Sequence, residues 1–369
     1  MSNTNTFADK RTRVVIVGGG YVGSDLAKSL DSVADVTLIE RASHFTHAPA
    51  MIRAMVDPSI LDRALMPYDK LLDYGRVVQG EAVALDDTGV SLADGSRVEG
   101  EYMVLATGSS NFAPFKSASG DVEGLRADNA RWNNALINAK RILVIGAGAV
   151  GTELAGEIAH AHPEKQIMLV ASDPSLFPSF PQKLGKSLHS KLESMGVEVI
   201  TSERADSLPG RDAPDSGTVT LTSGRVIEAD LIIPAIGSRP STELAEALPQ
   251  AELSEDGRIK VDEWLRPSSY KNVFTAGDMA STGDAMTIVA IARQKPWLEK
   301  TLKALLNGKR VENLKPYAPW GEKSPILIPL GPVRGNGFLI IATFGDWVTR
   351  TMKGKDMFIS KYRKLFGLG

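Results

Sequence analysis

The sequence predicts an α/β fold in which one nucleotide-binding type of domain occurs twice, the second copy inserted in the first, followed by a small C-terminal α+β unit. Three observations carry this. Gly18-Gly19-Gly20-Tyr21-Val22-Gly23 and Gly146-Ala147-Gly148-Ala149-Val150-Gly151 each follow an apolar strand-like run and open an apolar helical pattern. Each leads, at nearly the same distance, to a second landmark: Val104-Leu105-Ala106-Thr107-Gly108 for the first and Ile233-Pro234-Ala235-Ile236-Gly237 for the second. One such glycine pattern is a weak signal, but its repetition with matched landmarks specifies two Rossmann-like domains and therefore two dinucleotides. The third observation is Val273-Phe274-Thr275-Ala276-Gly277-Asp278, which occurs once. A single copy is expected if the two bound molecules differ, FAD in one domain and NADH or NADPH in the other.

The elements follow in order. Arg13-Val14-Val15-Ile16-Val17 reads as a buried strand, then come the glycine loop, a helix through about Leu30 and a strand Val36-Thr37-Leu38-Ile39 ending at Glu40, which is a βαβ unit. Gly89 to Val98 reads as a hairpin turning at Asp94-Gly95. The second copy repeats the plan with Arg141 to Ile145, a helix through about Ala159, the strand Ile167 to Val170 and a hairpin from Thr218 to Val226. After Gly237 the chain must return to the first domain, because Asp278 belongs with the first nucleotide. The expected division is residues 1–112 and 241–311 for FAD, 113–240 for NAD(P)H, and 312–369 for the C-terminal unit, entered through a Pro-rich stretch.

The 369 residues suffice for two or three domains with cores of their own. A net charge of −2 opposes a nucleic-acid partner, which would want a basic field. The chain has no cysteine, so a disulfide framework, a thiolate metal site, an iron–sulfur cluster and a CxxC redox pair are all excluded. Disulfide reductases sharing this layout are excluded with them. Residues 1–10 read as a polar, frayed tail with no signal peptide, and no stretch reaches the roughly 18 apolar residues needed to span a bilayer. A cytoplasmic chain is the expectation, monomeric or homodimeric.

In the first loop, Gly18 permits the tight turn, Gly20 lets the backbone approach a pyrophosphate, and Gly23 lets the helix pack on the sheet. Glu40, at the end of the second strand, is placed to accept the ribose hydroxyls of an adenosine. At the equivalent place in the second copy stand Ala171 and Ser172, with Asp173 just beyond. Ala171 and Ser172 would not repel a 2′-phosphate, which predicts tolerance of NADPH beside NADH; the alternative is that Asp173 swings in to favour NADH. Asp278 is read as holding a ribityl hydroxyl beside a helix N-terminus aimed at the flavin, or else as a plain helix cap. Glu153 and Glu157, one turn apart, share a helix face and are candidates to position a nicotinamide or relay a proton, against the alternative of solvated carboxylates. His47, in the loop after Glu40, is a candidate flavin neighbour or a structural residue. His160 and His162 cannot converge on one metal from a regular helix, and no metal is expected.

Residues 350–369 carry Arg350, Lys353, Lys355, Lys361, Arg363 and Lys364 against one acid, Asp356. Trp347, Met352, Met357, Phe358, Ile359, Tyr362, Leu365 and Phe366 are interleaved with them. Such an amphipathic tail suits peripheral contact with an anionic membrane; the alternative is a charged face over ordinary core residues.

Taken together, these residues resemble the two-dinucleotide-binding-domain flavoproteins, and most specifically the ferroptosis-suppressor, or apoptosis-inducing-factor-like, family of NAD(P)H:ubiquinone oxidoreductases, related to type II NADH dehydrogenases. The likeness runs across nearly the whole chain and includes Ile52-Arg53-Ala54, Glu153-Leu154-Ala155-Gly156-Glu157-Ile158, His162-Pro163-Glu164-Lys165, and, most specifically, Lys353-Gly354-Lys355-Asp356-Met357-Phe358-Ile359-Ser360. The resemblance implies FAD contacts at Gly18 to Gly23, Glu40, Arg53, the backbone near Val83, and Asp278. It also implies a lysine near the flavin at Lys116, in Ala113-Pro114-Phe115-Lys116. The candidate cofactor-binding set is completed by Arg41, Thr107, Gly108, Gly277 and Met286 in the first copy. In the second it is Gly146, Gly148, Ala149, Val150, Gly151, Ser172 and Gly237. Candidate catalytic residues are Glu153, Glu157 and Lys116.

Two departures matter. The family's vertebrate members begin Met-Gly and are myristoylated, whereas this chain begins Met1-Ser2, so lipid anchoring is not implied. Type II dehydrogenases carry glutamines lining a quinone site on the helix after the Gly-Asp, where this chain has Met286-Thr287-Ile288-Val289-Ala290-Ile291-Ala292-Arg293-Gln294. A quinone-like acceptor is therefore implied by the family and not by a motif. Competing readings are a reductase of a small electron-transfer protein and a redox-signalling flavoprotein with little turnover.

Overall fold

Val14, Val15, Ile16 and Val17 are β-branched in succession, and the strand Arg13–Val17 buries all four. Burial on both faces is the mark of a central parallel strand. A computed structural model, which describes residues 11–110, 115–116, 121–208, 210, 212–321 and 324–369, places this strand in the middle of a five-stranded sheet. The order is Val273–Thr275, Tyr102–Leu105, Arg13–Val17, Asp35–Glu40, Arg76–Gln79, with every pairing parallel. Val273–Thr275 reaches this sheet from far down the chain, so the second copy is an insertion. The hairpin with its turn at Gly95 is present as the antiparallel pair Gly89–Leu92 and Arg97–Glu99, joined by Ala82–Asp86.

The second sheet repeats the first. Its order is Val197–Ile200, Gln166–Val170, Arg141–Ile145, Val226–Pro234, Asp215–Thr220, with only the last strand antiparallel. The two glycine loops are superimposable in their constraints. A Cβ on Gly23 would lie 1.8 Å from the Gly18 carbonyl oxygen, and one on Gly151 would lie 1.9 Å from that of Gly146. Gly18 and Gly146 both adopt left-handed φ, +100° and +108°.

The chain forms two compact units. One holds the described residues of Met1–Ser43, Tyr68–Ser109 and Pro240–Pro319; the other holds those of His44–Pro67, Ser110–Arg239 and Trp320–Gly369. The C-terminal strands Ile326–Leu330, Arg334–Phe338 and Thr343–Phe344 form an antiparallel sheet inside the second unit, not a unit of their own. The reason is visible at helix Ala149–Ala161, where a Cβ on Gly156 would lie 2.6 Å from the Leu330 Cα. Helix and strand are in van der Waals contact there, and together they bury the apolar residues that a free-standing C-terminal unit would expose. Among the described residues no helix is long and apolar enough to cross a membrane.

Candidate functional site

The first unit carries one nucleotide cradle. Helix Tyr21–Leu30 starts at Gly20 with no side chain capping it, and a Cβ at Gly20 would meet nothing within 4 Å. The chain thus enters the helix through an uncrowded glycine, the kind of turn at which backbone amides can approach an anion. Glu40 closes the loop: its carboxylate accepts the backbone N–H of Gly19 at 2.5 Å and of Ala42 at 2.8 Å. Each carboxylate oxygen has a second lone pair left for a ribose hydroxyl, so the cradle fits the adenosine and pyrophosphate of FAD.

Tyr68, which no motif singles out, completes the cradle. Its hydroxyl donates to the Gly19 carbonyl at 2.8 Å, and burial, with the nearby Glu40 carboxylate, holds the phenol protonated well above its ordinary range. A cavity of about 330 Å³ adjoins it, lined by Ala42, Ser43, Tyr68, Asp69, Leu72, Gly75, Val77 and Gln79.

Asp278 lies on a turn, not at a helix. The next long helix, Ile288–Leu306, begins well beyond it and is capped by the Thr287 hydroxyl. Asp278 therefore caps no helix, and the expected helix N-terminus does not stand directly after it. Instead the Asp278 carboxylate accepts the Ser109 hydroxyl at 2.8 Å. Thr107 ties the neighbouring strand end by donating to the Ser241 carbonyl at 2.6 Å. Gly108 and Gly277 both need the left-handed region, at φ +71° and +84°. Arg41, Val83 and Met286 are exposed.

The second unit carries the other cradle. Gly148 begins helix Ala149–Ala161 without a side-chain cap, and nothing lies within 4 Å of a Cβ built there. Val150 is exposed beside it, and Gly237 turns with φ +58°. Ala171 is buried, with its carbonyl accepting the Glu203 N–H at 3.0 Å, while Ser172 and Asp173 are exposed. The Glu203 carboxylate is turned away to the Thr222 hydroxyl and the Ser223 amide, at 2.8 and 3.1 Å.

Glu153 and Glu157 are both buried, which overturns the solvated alternative. Glu157 receives two bonds from Arg53, at 2.7 and 3.0 Å, so the guanidinium that the resemblance directs at the flavin is committed to a carboxylate of its own unit. Glu153 accepts from Lys353 at 2.6 Å, while its other oxygen, Oε2, has no hydrogen-bond partner among the described residues. Burial pushes the Glu153 carboxyl above its ordinary value, against the pull of the Lys353 ammonium. The pair is not legible in the sequence, because Lys353 stands 200 residues from Glu153 among the basic residues of the tail.

Four of the tail's apolar residues are spent internally, while Trp347 and Met352 stay exposed. Met357, Ile359, Tyr362 and Phe366 are buried, and Phe45 stacks on Tyr362 and tilts on Phe366, with ring centroids 5.7 and 4.9 Å apart. His47 lies in the same cluster, its Nε2 at 2.6 Å from the Met357 carbonyl. Burial lowers its pKa from 6.5 to about 4. The ring is therefore neutral at physiological pH and offers no cation to a cofactor.

A stability prediction follows. Above pH 6.5 the ring is neutral in the folded and unfolded chains alike. As pH falls toward 4 only the unfolded chain takes up the proton, so stability drops, by about 3 kcal/mol from this group alone. Urea midpoints measured from pH 7 to pH 4 are expected to fall less steeply in His47→Gln than in the parent; equal slopes would show that His47 is accessible to protons when folded.

Lys116 is half-buried in the second unit, and its motif neighbours Ala113 and Pro114, like residues 1–10, lie outside the described residues. No group of three or more His, Asp or Glu able to hold a metal occurs among the described residues.

Comparison with known proteins agrees with this architecture. The family described as pyridine nucleotide-disulphide oxidoreductase matches residues 13–63 and 68–301. The chain is 31% identical to apoptosis-inducing factor homolog B of Dictyostelium discoideum, over 96% of each. It is 26% identical to ferroptosis suppressor protein 1 of Homo sapiens, over 94% of each. Its fold is similar to that of the sulfide:quinone oxidoreductase of Aquifex aeolicus, with a TM-score of 0.75 at 15% identity, covering 97% of this chain and 92% of that one. With two nucleotide cradles built in one chain and relatives matched along nearly its whole length, the protein belongs to the pyridine nucleotide-disulphide oxidoreductase family and is a pyridine-nucleotide-dependent flavin oxidoreductase.

Proposed function

We propose that the protein is an FAD-dependent NAD(P)H:quinone oxidoreductase. The observation that carries the reading is the pairing of two complete nucleotide cradles with the absence of any cysteine. Electrons entering from a nicotinamide have no internal disulfide to reduce, so an external acceptor must take them. The full-length likeness to the ferroptosis-suppressor relatives supports a quinone in that role.

In balance, NAD(P)H, one proton and a quinone give NAD(P)⁺ and a quinol. FAD held in the first cradle would supply the two-electron redox chemistry between nicotinamide and acceptor. The chain's part is to bind and orient. Gly18 to Gly23 and Glu40 would hold the FAD adenosine and pyrophosphate, with Tyr68 bracing Gly19, and Ser109 fixes the Asp278 carboxylate that would meet the ribityl chain. Gly146 to Gly151 hold the NAD(P)H pyrophosphate. Glu153, buried and held at one oxygen by Lys353, is a candidate to hold or relay a proton within the second unit.

Any membrane contact has to use what the fold leaves outward. Ile341 and Trp347 are 89% and 79% exposed, Met352 is also exposed, and Arg350, Lys355 and Lys361 point to solvent near them in sequence. This apolar and basic set suits a reversible anionic-lipid contact.

A steady-state acceptor screen tests the function. Rapid turnover of short-chain ubiquinones with either nucleotide is expected; turnover of ferredoxin-like proteins alone would replace the quinone. On the nucleotide side, no carboxylate guards Ala171, so selectivity between NADH and NADPH is expected to stay below about 100-fold. Ala171→Glu should shift the preference toward NADH by repelling the 2′-phosphate. A parent enzyme that rejects NADPH outright would assign the selecting role to Asp173.

A further inference from the structure

Gln294 lies on helix Ile288–Leu306 and is turned inward, 3% exposed. Both amide protons and one lone pair of the oxygen are engaged. Oε1 accepts the backbone N–H of Gly277 at 2.8 Å, and Nε2 donates to the Thr282 hydroxyl at 3.0 Å and to Asp284 Oδ2 at 3.3 Å. Asp284 is itself buried, takes the Tyr317 hydroxyl on the same carboxylate, and has its backbone carbonyl held by Arg258 at 2.9 Å. The orientation of the amide is fixed by chemistry, since only its oxygen can face an N–H and only its nitrogen can face a carboxylate.

Gly277 adopts a left-handed φ of +84°. The residue it delivers is Asp278, whose carboxylate is aligned by Ser109. The bond from Gly277 to Gln294 therefore pins the turn on one side while Ser109 pins its product on the other.

We propose that Gln294 is a positioning residue for Asp278. By holding the Gly277 amide it fixes the turn that presents the carboxylate, and so governs how tightly the flavin is held and at what potential it is reduced. The same bonds take the amide away from any acceptor. A glutamine on this helix thus serves the flavin turn here, whereas the resemblance to type II dehydrogenases would put glutamines of this helix at a quinone. The inference rests on FAD occupying the first cradle, and its test reads flavin directly, so it is separable from the identity of the acceptor.

The test is a double-mutant cycle on the full chain, with FAD affinity measured by flavin fluorescence on reconstitution, the flavin midpoint potential by redox titration, and kcat and KM with a short-chain quinone. Gln294→Leu is expected to weaken FAD binding by at least about tenfold and to shift the potential, with the quinone KM unchanged. In an Asp278→Asn background the same substitution should cost less than about threefold, because it acts through Asp278. Thr282→Val, which loosens Gln294 without removing its bond to Gly277, should move FAD affinity in the same direction by about two- to threefold. That variant decides the matter should Gln294→Leu fail to fold. Full additivity with Asp278→Asn would overturn the proposal. So would unchanged FAD affinity in Thr282→Val, or a Gln294→Leu enzyme that keeps its flavin but loses quinone affinity.

Discussion

Glu40→Ala is expected to emerge colourless, or nearly so, from an expression host in which the parent protein emerges yellow with about one FAD per chain. The carboxylate holds two loop amides, those of Gly19 and Ala42, at 2.5 and 2.8 Å, and under the proposed function its remaining lone pairs would accept the hydroxyls of an adenosine ribose. Hydrogen bonds to a charged group contribute about 1.5–3 kcal/mol each. Losing the ribose contacts and the loop's own closure together should lower FAD affinity by at least about tenfold counting only one such bond fully lost, and by more than about 100-fold if two are lost. Absorbance at the flavin bands against total protein reads the result directly, and Glu40→Gln should recover part of the colour, since its single carbonyl oxygen can serve one amide but not both. A Glu40→Ala protein as yellow as the parent would mean that the flavin is held elsewhere, and the assignment of the first cradle would fall with it.

Deleting the tail from Lys353 onward is expected to destabilise the second unit before it affects anything at a membrane. The deletion removes Met357, Ile359, Tyr362 and Phe366, all buried, and strips Glu153 of its partner ammonium. Truncating one large core side chain costs about 2–5 kcal/mol, and orphaning a buried charge costs several more unless the carboxyl protonates. Against a typical net stability of about 5–15 kcal/mol, the sum is enough to unfold the unit. The milder variants Phe366→Ala and Lys353→Ala should each lower the melting temperature by at least about 5 °C and reduce NADH binding in parallel. A tail-less protein that melts like the parent, but no longer binds anionic vesicles, would show that the tail is a membrane arm after all and that its burial is incidental.

Much of the fold was legible because its strongest constraints are local. A left-handed φ at Gly18 and Gly146, and a helix that must approach the preceding turn so closely that Gly23 and Gly151 admit no Cβ, can be met only by glycine at fixed spacing. The chain writes that requirement twice. The apolar runs of the central parallel strands were equally plain, because burial on both faces leaves no alternation to interpret. The C-terminal segment was less legible. A pattern of basic residues among apolar ones is the same whether the apolar side faces lipid or covers Phe45 and His47, since periodicity reports that a face is buried and not what buries it.

The sequence by itself determined that the dinucleotide-binding pattern occurs twice, that Glu40 stands where a ribose-binding carboxylate is expected, and that no thiol chemistry follows, each from contiguous residues or from plain composition. Only the tertiary structure decided where the side chains around those cradles spend their charges. It paired Arg53 with Glu157 and Lys353 with Glu153, set Tyr68 on Gly19 and Ser109 on Asp278, and turned Gln294 onto Gly277. Most of these partners stand far apart along the chain, and no local spacing encodes a meeting that the packing of distant strands and helices alone brings about.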